Sequence, residues 1–111
     1  MDVQRLLWAM LACLAASVAS AELRATHDSV EARAADVMLP SGPLSTLVVT
    51  PCRGCSPMSL LATGRTQYLV GRQPATLEEL RHEVRRRPDS VVVVIWNRQT
   101  RELFRVRVSA P

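Results

Sequence analysis

The stretch Pro51-Cys52-Arg53-Gly54-Cys55-Ser56-Pro57 decides the fold, because it places a tight turn between two extended apolar runs. Gly54 stands at the third position of the turn, where types I′ and II both need a positive φ that glycine adopts without steric cost. Proline cannot donate a ladder hydrogen bond, so regular pairing should stop near Pro51 and Pro57. The stretch therefore predicts a hairpin whose turn carries two cysteines.

The runs on either side of this turn predict the two arms of the hairpin. Residues 44–50 form a strand bounded by turn residues at both ends. Residues 58–63 form the second arm, Gly64 and Arg65 interrupt it as a bulge or bend, and residues 66–70 resume it. We therefore expect an antiparallel pair with a bent second strand.

A short helix is predicted over residues 76–87. Thr76 and Glu79 form a capping box, three arginines stand in the last turn where the helix dipole favours cations, and Pro88 ends the helix. The apolar positions recur at helical spacing and define one narrow face: Leu77, Leu80 and Val84.

Two further strands follow the helix. Residues 91–96 are six consecutive β-branched or aromatic residues, which predicts a central strand buried on both faces, or nearly so. Residues 97–100 form a hairpin loop, and residues 101–108 return with alternating polarity. The alternation predicts Phe104, Val106 and Val108 toward the core and Arg105 and Arg107 toward water.

The segment at residues 30–39 is ambiguous between a strand and a helix. As a helix it places Val30, Ala34 and Val37 on one face, whereas the pattern of the whole chain favours a strand. With a strand here the order is β-β-β-α-β-β, a mainly β domain with one helix and a small OB-like five-stranded barrel. With a helix here the alternative is an α+β fold, in which an N-terminal helix packs on an antiparallel sheet.

The stretch Thr66-Gln67-Tyr68-Leu69-Val70-Gly71-Arg72, followed by Thr76-Leu77-Glu78-Glu79-Leu80, resembles small exported bacterial OB-like domains, most of them of unknown function. In those domains a T-x-Y/F-x-V-x-G strand precedes a short S/T-L-x-x-L helix. The resemblance covers about residues 30–108 and implies the OB-like fold. It implies no activity, since function depends on the site and not on the fold, and the cysteine turn is not part of the pattern.

Residues 1–21 have the layout of a secretory signal peptide. A short segment carrying Arg5 precedes an apolar run at residues 6–16, and small residues end the segment at Ala21. We therefore expect cleavage after Ala21 and a periplasmic or secreted protein. An uncleaved anchor is disfavoured because the apolar run is about half the ~20 residues that span a bilayer. Acylation on Cys13 is disfavoured because Leu11 occupies a position where a small residue is expected.

The mature chain, residues 22–111, is long enough for one small domain, with an ordered core at about 30–108 and no transmembrane helix. It keeps two cysteines, Cys52 and Cys55, and outside the cytosol such a pair is usually oxidised. The main hypothesis is therefore a structural disulfide with no cofactor. The alternative is a Cu or Zn site or a thiol-redox pair at these cysteines, with Met58 as a soft auxiliary ligand; the only histidines are His27 and His82.

The basic residues suggest a second candidate site. The chain has a formal net charge of +4 and no lysine. Arg101, Arg105 and Arg107 form a candidate patch for anionic ligands, since guanidinium groups bind carboxylates and phosphates in bidentate geometry. Suitable partners are an envelope protein or an anionic envelope polymer. The single tyrosine, Tyr68, offers too little stacking surface for single-stranded nucleic acid.

These observations predict a small exported, non-enzymatic binding or envelope-accessory module with a disulfide in a hairpin turn. The chain contains no dinucleotide-binding, P-loop or nucleophile-elbow motif that would suggest an enzyme. The alternative function is a periplasmic metal or thiol-redox protein that uses the C-x-x-C pair.

Overall fold

A computed structural model describes residues 26–111 of the chain, so the predicted signal peptide lies outside the described residues. The described part is mainly β with one α-helix, as the sequence predicts. Its elements, in chain order, are β1 (His27–Arg33), a 3-10 turn (Ala34–Asp36), β2 (Val37–Met38), β3 (Thr46–Val49), β4 (Met58–Leu61), β5 (Gln67–Val70), β6 (Gln73–Ala75), α1 (Leu77–Arg86), β7 (Val91–Asn97) and β8 (Leu103–Val108).

The strands form two sheets. The larger has the order β1-β7-β8-β5-β6, and the smaller has the order β2-β3-β4. All neighbouring strands are antiparallel except β5 and β8, which run parallel. The 3-10 turn carries β1 of the larger sheet into β2 of the smaller one, and an isolated parallel bridge between Leu61 and Glu102 joins β4 to the residue before β8. The two sheets are not closed into one continuous barrel.

The ambiguous segment at residues 30–39 is extended on both sides of the 3-10 turn, and the predicted alternative of an N-terminal helix does not occur there. Val30 and Ala32 pack against the core, while the residues between and beside them are exposed, which is the alternation of a strand. The turn keeps its backbone groups bonded: Ala34 N–H donates to Ser90 C=O at 2.8 Å, and Ala35 N–H donates to Pro88 C=O at 3.0 Å.

The cysteine hairpin and the helix form as predicted. β3 and β4 are antiparallel and end before the two prolines, and Gly54 has a φ of +82° inside the turn. Thr76 caps α1 by accepting a hydrogen bond from Glu79 N–H at 3.1 Å, and Leu80 is fully buried. The turn around Gly64 splits the predicted bent strand into β4 and β5, which lie in different sheets.

The core lies between the inner faces of the sheets and the helix. It is formed by Ala34, Val37, Leu47, Val49, Leu60, Ala62, Leu80, Val92, Val94, Trp96, Leu103, Val106 and Val108.

Strand β7 is central, between β1 and β8, as predicted, but the prediction that both of its faces are buried, or nearly so, is wrong. One face is buried, through Val92, Val94 and Trp96. The opposite face remains half-exposed, and Val91 on that face is 45% exposed. The apolar run therefore reflects strand propensity as well as burial.

A β-bulge overturns one of the core predictions in the last strand. Ile95 pairs with Arg105, but the next residue, Trp96, pairs with Leu103, so Phe104 is an extra residue in β8. A bulge of this kind reverses the alternation on one side of it. Leu103 is consequently fully buried, whereas Phe104, predicted in the core, is half-exposed. Val106 and Val108 are buried and Arg107 is exposed, as predicted.

Candidate functional site

The tip of the cysteine hairpin is closed by a disulfide between Cys52 and Cys55, whose Cα atoms are 5.1 Å apart. Cys55 N–H also donates to Cys52 C=O at 3.1 Å, so the turn is held by a covalent bond and a hydrogen bond. Arg53 and Gly54 are exposed at the tip. The predicted structural disulfide is therefore present.

The tip lies beside the 3-10 turn, and the two border an open cleft of about 330 Å³. Thr50 N–H donates to Asp36 C=O at 3.1 Å, which ties the strand entering the tip to the turn. The Asp36 carboxylate pairs with Arg33 at 3.4 Å, leaving Arg53 as the free cation of the cleft lining among the described residues. The cleft is therefore lined by two guanidinium groups: that of Arg33, which is paired with a carboxylate, and that of Arg53, which is not.

The residues of the alternative metal site are not gathered around the disulfide. Met58 starts β4 and packs half-buried against the core. His27 lies in β1, its ring centroid 4.8 Å from that of Phe104, and His82 is exposed on α1. Within residues 26–111 no group of three or more histidine, cysteine or acidic side chains is arranged to hold a metal ion. The Cu or Zn hypothesis stays a prediction.

The predicted arginine patch is divided by the bulge. Arg105 and Arg107 lie two residues apart in β8, after the bulge, on the outer face of the larger sheet. Arg101 precedes the strand, in the hairpin loop, with a φ of 62°. The structure therefore places two of the three arginines side by side and the third apart from them.

The two strand arginines differ in their contacts. Arg105 donates from Nε and Nη2 to Gln67 Oε1 at 3.2 and 3.0 Å, and its guanidinium carbon lies 5.2 Å from the centre of the Phe104 ring. The side chain of Arg107 makes no hydrogen bond or ion pair with the described residues. It lies between Val93 of β7 and Leu69 of β5, its register neighbours. Arg107 is therefore a cation without a side-chain partner between two apolar neighbours.

The arginines at the end of α1 are engaged by the helix itself. Glu83 accepts from Arg86 at 2.8 Å and from Arg87 at 3.2 Å. The hydrogen bonds and charges of these guanidinium groups, Arg86 first, hold the pKa of Glu83 below its ordinary value. Elsewhere, burial raises the pKa of Tyr68, and the nearby charge of Arg81 partly opposes that rise.

A second cleft, of about 380 Å³, lies where β1 starts beside the β7–β8 hairpin, and the sequence did not predict it. Its lining includes Phe104, displaced outward by the bulge, and Glu102. The Glu102 carboxylate accepts from Thr63 Oγ1 and Arg65 Nη2, each at 2.8 Å. The cleft depends on the bulge at Phe104, and the alternation of polar and apolar residues in β8 does not show where a bulge occurs. No sequence signal could therefore have revealed this cleft.

The smaller sheet and the turn before it expose apolar side chains that were not among the predictions from the sequence. Met38, Leu44 and Leu61 are 71%, 76% and 47% exposed. Met38 is paired with Val48, and Leu61 with Thr46, so Met38 and Leu61 lie on the outer face of this sheet, whereas Leu44 lies in the turn before β3. The alternation of residues 44–50 is the signal that could have indicated this face.

In comparisons with known proteins, no family model matches the chain, and neither a curated protein nor a solved structure matches it. Among the described residues, no helix has the length and apolar character needed to cross a membrane.

Proposed function

We propose that the mature chain is an exported, OB-like binding module that holds an anionic envelope polymer on the outer face of its larger sheet. The observation that carries the proposal is the free guanidinium of Arg107, which lies between the apolar side chains of Val93 and Leu69. An exposed guanidinium without a protein partner keeps all its donors for an anionic ligand, which it can bind in bidentate geometry.

The strand pairing supports the OB-like part of the proposal. If β1 with β2, and β4 with β5, are each treated as one bent strand, the chain has five long strands with the helix between the third and the fourth. The first then pairs with the second and fourth, and the fifth pairs with the fourth and, in parallel, with the third. A five-stranded, partly open barrel of the OB type has this connectivity.

The spacing of the two arginines suits a repeating anionic ligand. Residues i and i+2 on one strand face are about 7 Å apart. Arg107 has all its donors available, and Arg105 uses two contacts on Gln67 and keeps others for a ligand. Glu31 lies on the same face, but two strands away on β1, about 10 Å from Arg107 across the sheet. The face therefore attracts carboxylate or phosphate groups along β8.

Two observations support export. The disulfide between Cys52 and Cys55 is of the kind that persists in oxidising compartments. The first residues have the layout of a signal peptide, with small residues before the expected cleavage site at Ala21.

Binding of poly-L-glutamate, measured by calorimetric titration at several salt concentrations, tests the proposal. The double variant R105Q/R107Q should bind at least about tenfold more weakly, because it loses two charge-assisted contacts. The matched control R72Q/R85Q removes the same charge from exposed arginines in the β5–β6 turn and on α1. If both double variants bind equally, or the unmodified protein does not bind, the proposal is wrong.

The alternative proposal is a metal or thiol-redox protein that uses Cys52, Cys55 and Met58. This alternative is favoured by Met58, a thioether that begins β4 only three residues after Cys55. Under this alternative the reduced protein should bind Cu(I) at one equivalent in a competition titration. The C52S variant should lose that binding, and if C52S binds as tightly as the unmodified protein, the alternative is wrong.

A further inference from the structure

Strand β1 is an edge of the larger sheet, and its hydrogen-bonding direction can be read from its two ends. Arg98 N–H donates to Thr26 C=O at 2.9 Å, and Ala34 N–H donates to Ser90 C=O at 2.8 Å. Both bonds belong to the antiparallel ladder with β7, in which bonded and non-bonded pairs alternate. The even-numbered residues of β1 therefore direct their backbone groups toward β7.

The odd-numbered residues direct theirs away from the sheet: His27, Ser29, Glu31 and Arg33. The alternation of the ladder with β7 leaves the backbone N–H and C=O groups of these four residues outside that ladder, and of these the C=O of Arg33 begins the 3-10 turn. The three other edge strands of the described sheets are shorter: β2 has two residues, and β6 has three, including Pro74. β4 has four residues, and since Leu61 N–H already donates to Arg101 C=O, Ser59 is its open position. Strand β1, with seven residues, is the longest open edge among residues 26–111.

Natural proteins commonly protect such an edge with charged side chains, above all lysine, or with proline, a bulge or a covering element. Strand β1 carries charges of both signs, on Asp28, Glu31 and Arg33, but it contains no proline or lysine. Its register with β7 has no bulge, and within the described residues it pairs with β7 alone. The edge is therefore available for pairing with another strand.

We propose that two copies of the chain pair through β1, antiparallel, about a two-fold axis at Val30. In this register Ser29 lies opposite Glu31 of the second copy, and His27 lies opposite Arg33. Ser29 and Glu31 each direct a free N–H and C=O toward the other chain, and His27 can exchange bonds with Arg33, whose N–H is free although its C=O also begins the 3-10 turn. A symmetric contact of this kind is self-complementary and closed, which is the commonest form of oligomer.

The charges of β1 favour this register over its neighbours. An axis at Asp28 or Glu31 would place like charges directly opposite each other, which is destabilising. An axis at Ser29 or Ala32 would leave outward groups of β1 without a partner in the second strand. The axis at Val30 pairs the whole strand, places Asp28 opposite Ala32 and brings two valines together.

The mass of the mature chain, residues 22–111, measured by light scattering over a concentration series, tests the pairing. We expect the mass to rise to twice that of the monomer. The S29P variant should remain a monomer, because it removes an outward N–H while leaving the ladder with β7 intact. The matched control S59P makes the same change at the open position of β4 and should still dimerise. A monomeric unmodified chain, or equal behaviour of the two variants, overturns the proposal.

A crosslinking experiment tests the register and does not depend on a proline variant that folds. Val30 and its counterpart form a non-hydrogen-bonded pair on the axis, where Cα atoms are about 4.5 Å apart. The V30C variant should therefore form a disulfide-linked dimer on a non-reducing gel. The control A32C carries its cysteine on the same side of β1, but opposite Asp28, and should not crosslink. Absence of the V30C dimer, or equal crosslinking of A32C, overturns the proposed register.

Discussion

Among single residues, Gly54 imposes the strictest backbone requirement at the disulfide turn. Its φ is +82°, and a Cβ added there would meet no atom within 4 Å. The requirement is therefore conformational, not steric. The sequence indicated it because the third position of a short turn between two strands needs a positive φ, which favours glycine over residues that carry a Cβ.

Replacing Gly54 with alanine should lower the free energy of unfolding by about 1 kcal/mol, since an L-residue is strained at positive φ. Gly64 provides a matched control, because it also has open space around it and its φ is not positive. G64A should leave stability unchanged or slightly raised. Urea denaturation of both variants measures the difference, and equal losses would contradict a conformational requirement at Gly54.

Glu83 should make stability depend on acid pH. Its pKa is depressed in the folded state by Arg86 and Arg87, so the stabilisation is present above its ordinary value of 4.5 and is lost as the pH falls through the lower folded-state pKa. We expect E83Q to have a lower Tm than the unmodified protein at neutral pH, and the gap to close in acid. Thermal unfolding at a series of pH values tests this, and a gap that is independent of pH would rule out this role for the Glu83 carboxylate.

Among the elements, the bulged strand β8 decides which side chains reach the core and which reach the surface. Val106 is buried, so an unbroken alternation would bury Phe104 and expose Leu103. The structure shows the reverse: Leu103 is fully buried and Phe104 is half-exposed. Sequence alternation predicts faces only while the register is unbroken, and the bulge lies where the pattern gives no warning. The same shift removes Arg101 from the strand face that holds Arg105 and Arg107.

Alanine substitutions on either side of the bulge should have unequal effects. L103A should cost about 2–5 kcal/mol, because it removes a buried side chain and leaves a cavity. F104A should cost clearly less, since the ring is half-exposed and contacts His27 and Arg105 at the surface. Chemical denaturation of the two variants measures this order. A larger loss for F104A would place the phenylalanine, not the leucine, in the core.

Across the whole molecule, the order of strands and helix was predictable, but the division into two sheets was not. Local signals fixed the hairpin, the capped helix and the last two strands, because turn residues and caps act within a few positions. The separation of β4 from β5 and the 3-10 turn between β1 and β2 depend on contacts far apart in sequence. For the site, the cysteine pair and two of three arginines could be identified, whereas both clefts needed the assembled fold.

Removing the disulfide should weaken the molecule without unfolding it. The bond joins residues only three apart, so the entropic model assigns it about 2 kcal/mol. The C52S/C55S variant should keep its far-ultraviolet circular dichroism spectrum and lose about that much free energy of unfolding. Loss of the native spectrum would mean that the hairpin depends on the bond to form, contrary to the strand pairing seen between β3 and β4.

Export and a structural disulfide at the tip of the hairpin together underlie the proposed binding module. Both are tested at once by the intact mass of the protein purified from the periplasm, under native and denaturing conditions, with and without an alkylating reagent. We expect a chain that begins at Glu22, is lighter by two hydrogens and does not react with the reagent. Two free thiols, an added metal mass under native conditions, or a retained first segment would contradict this expectation.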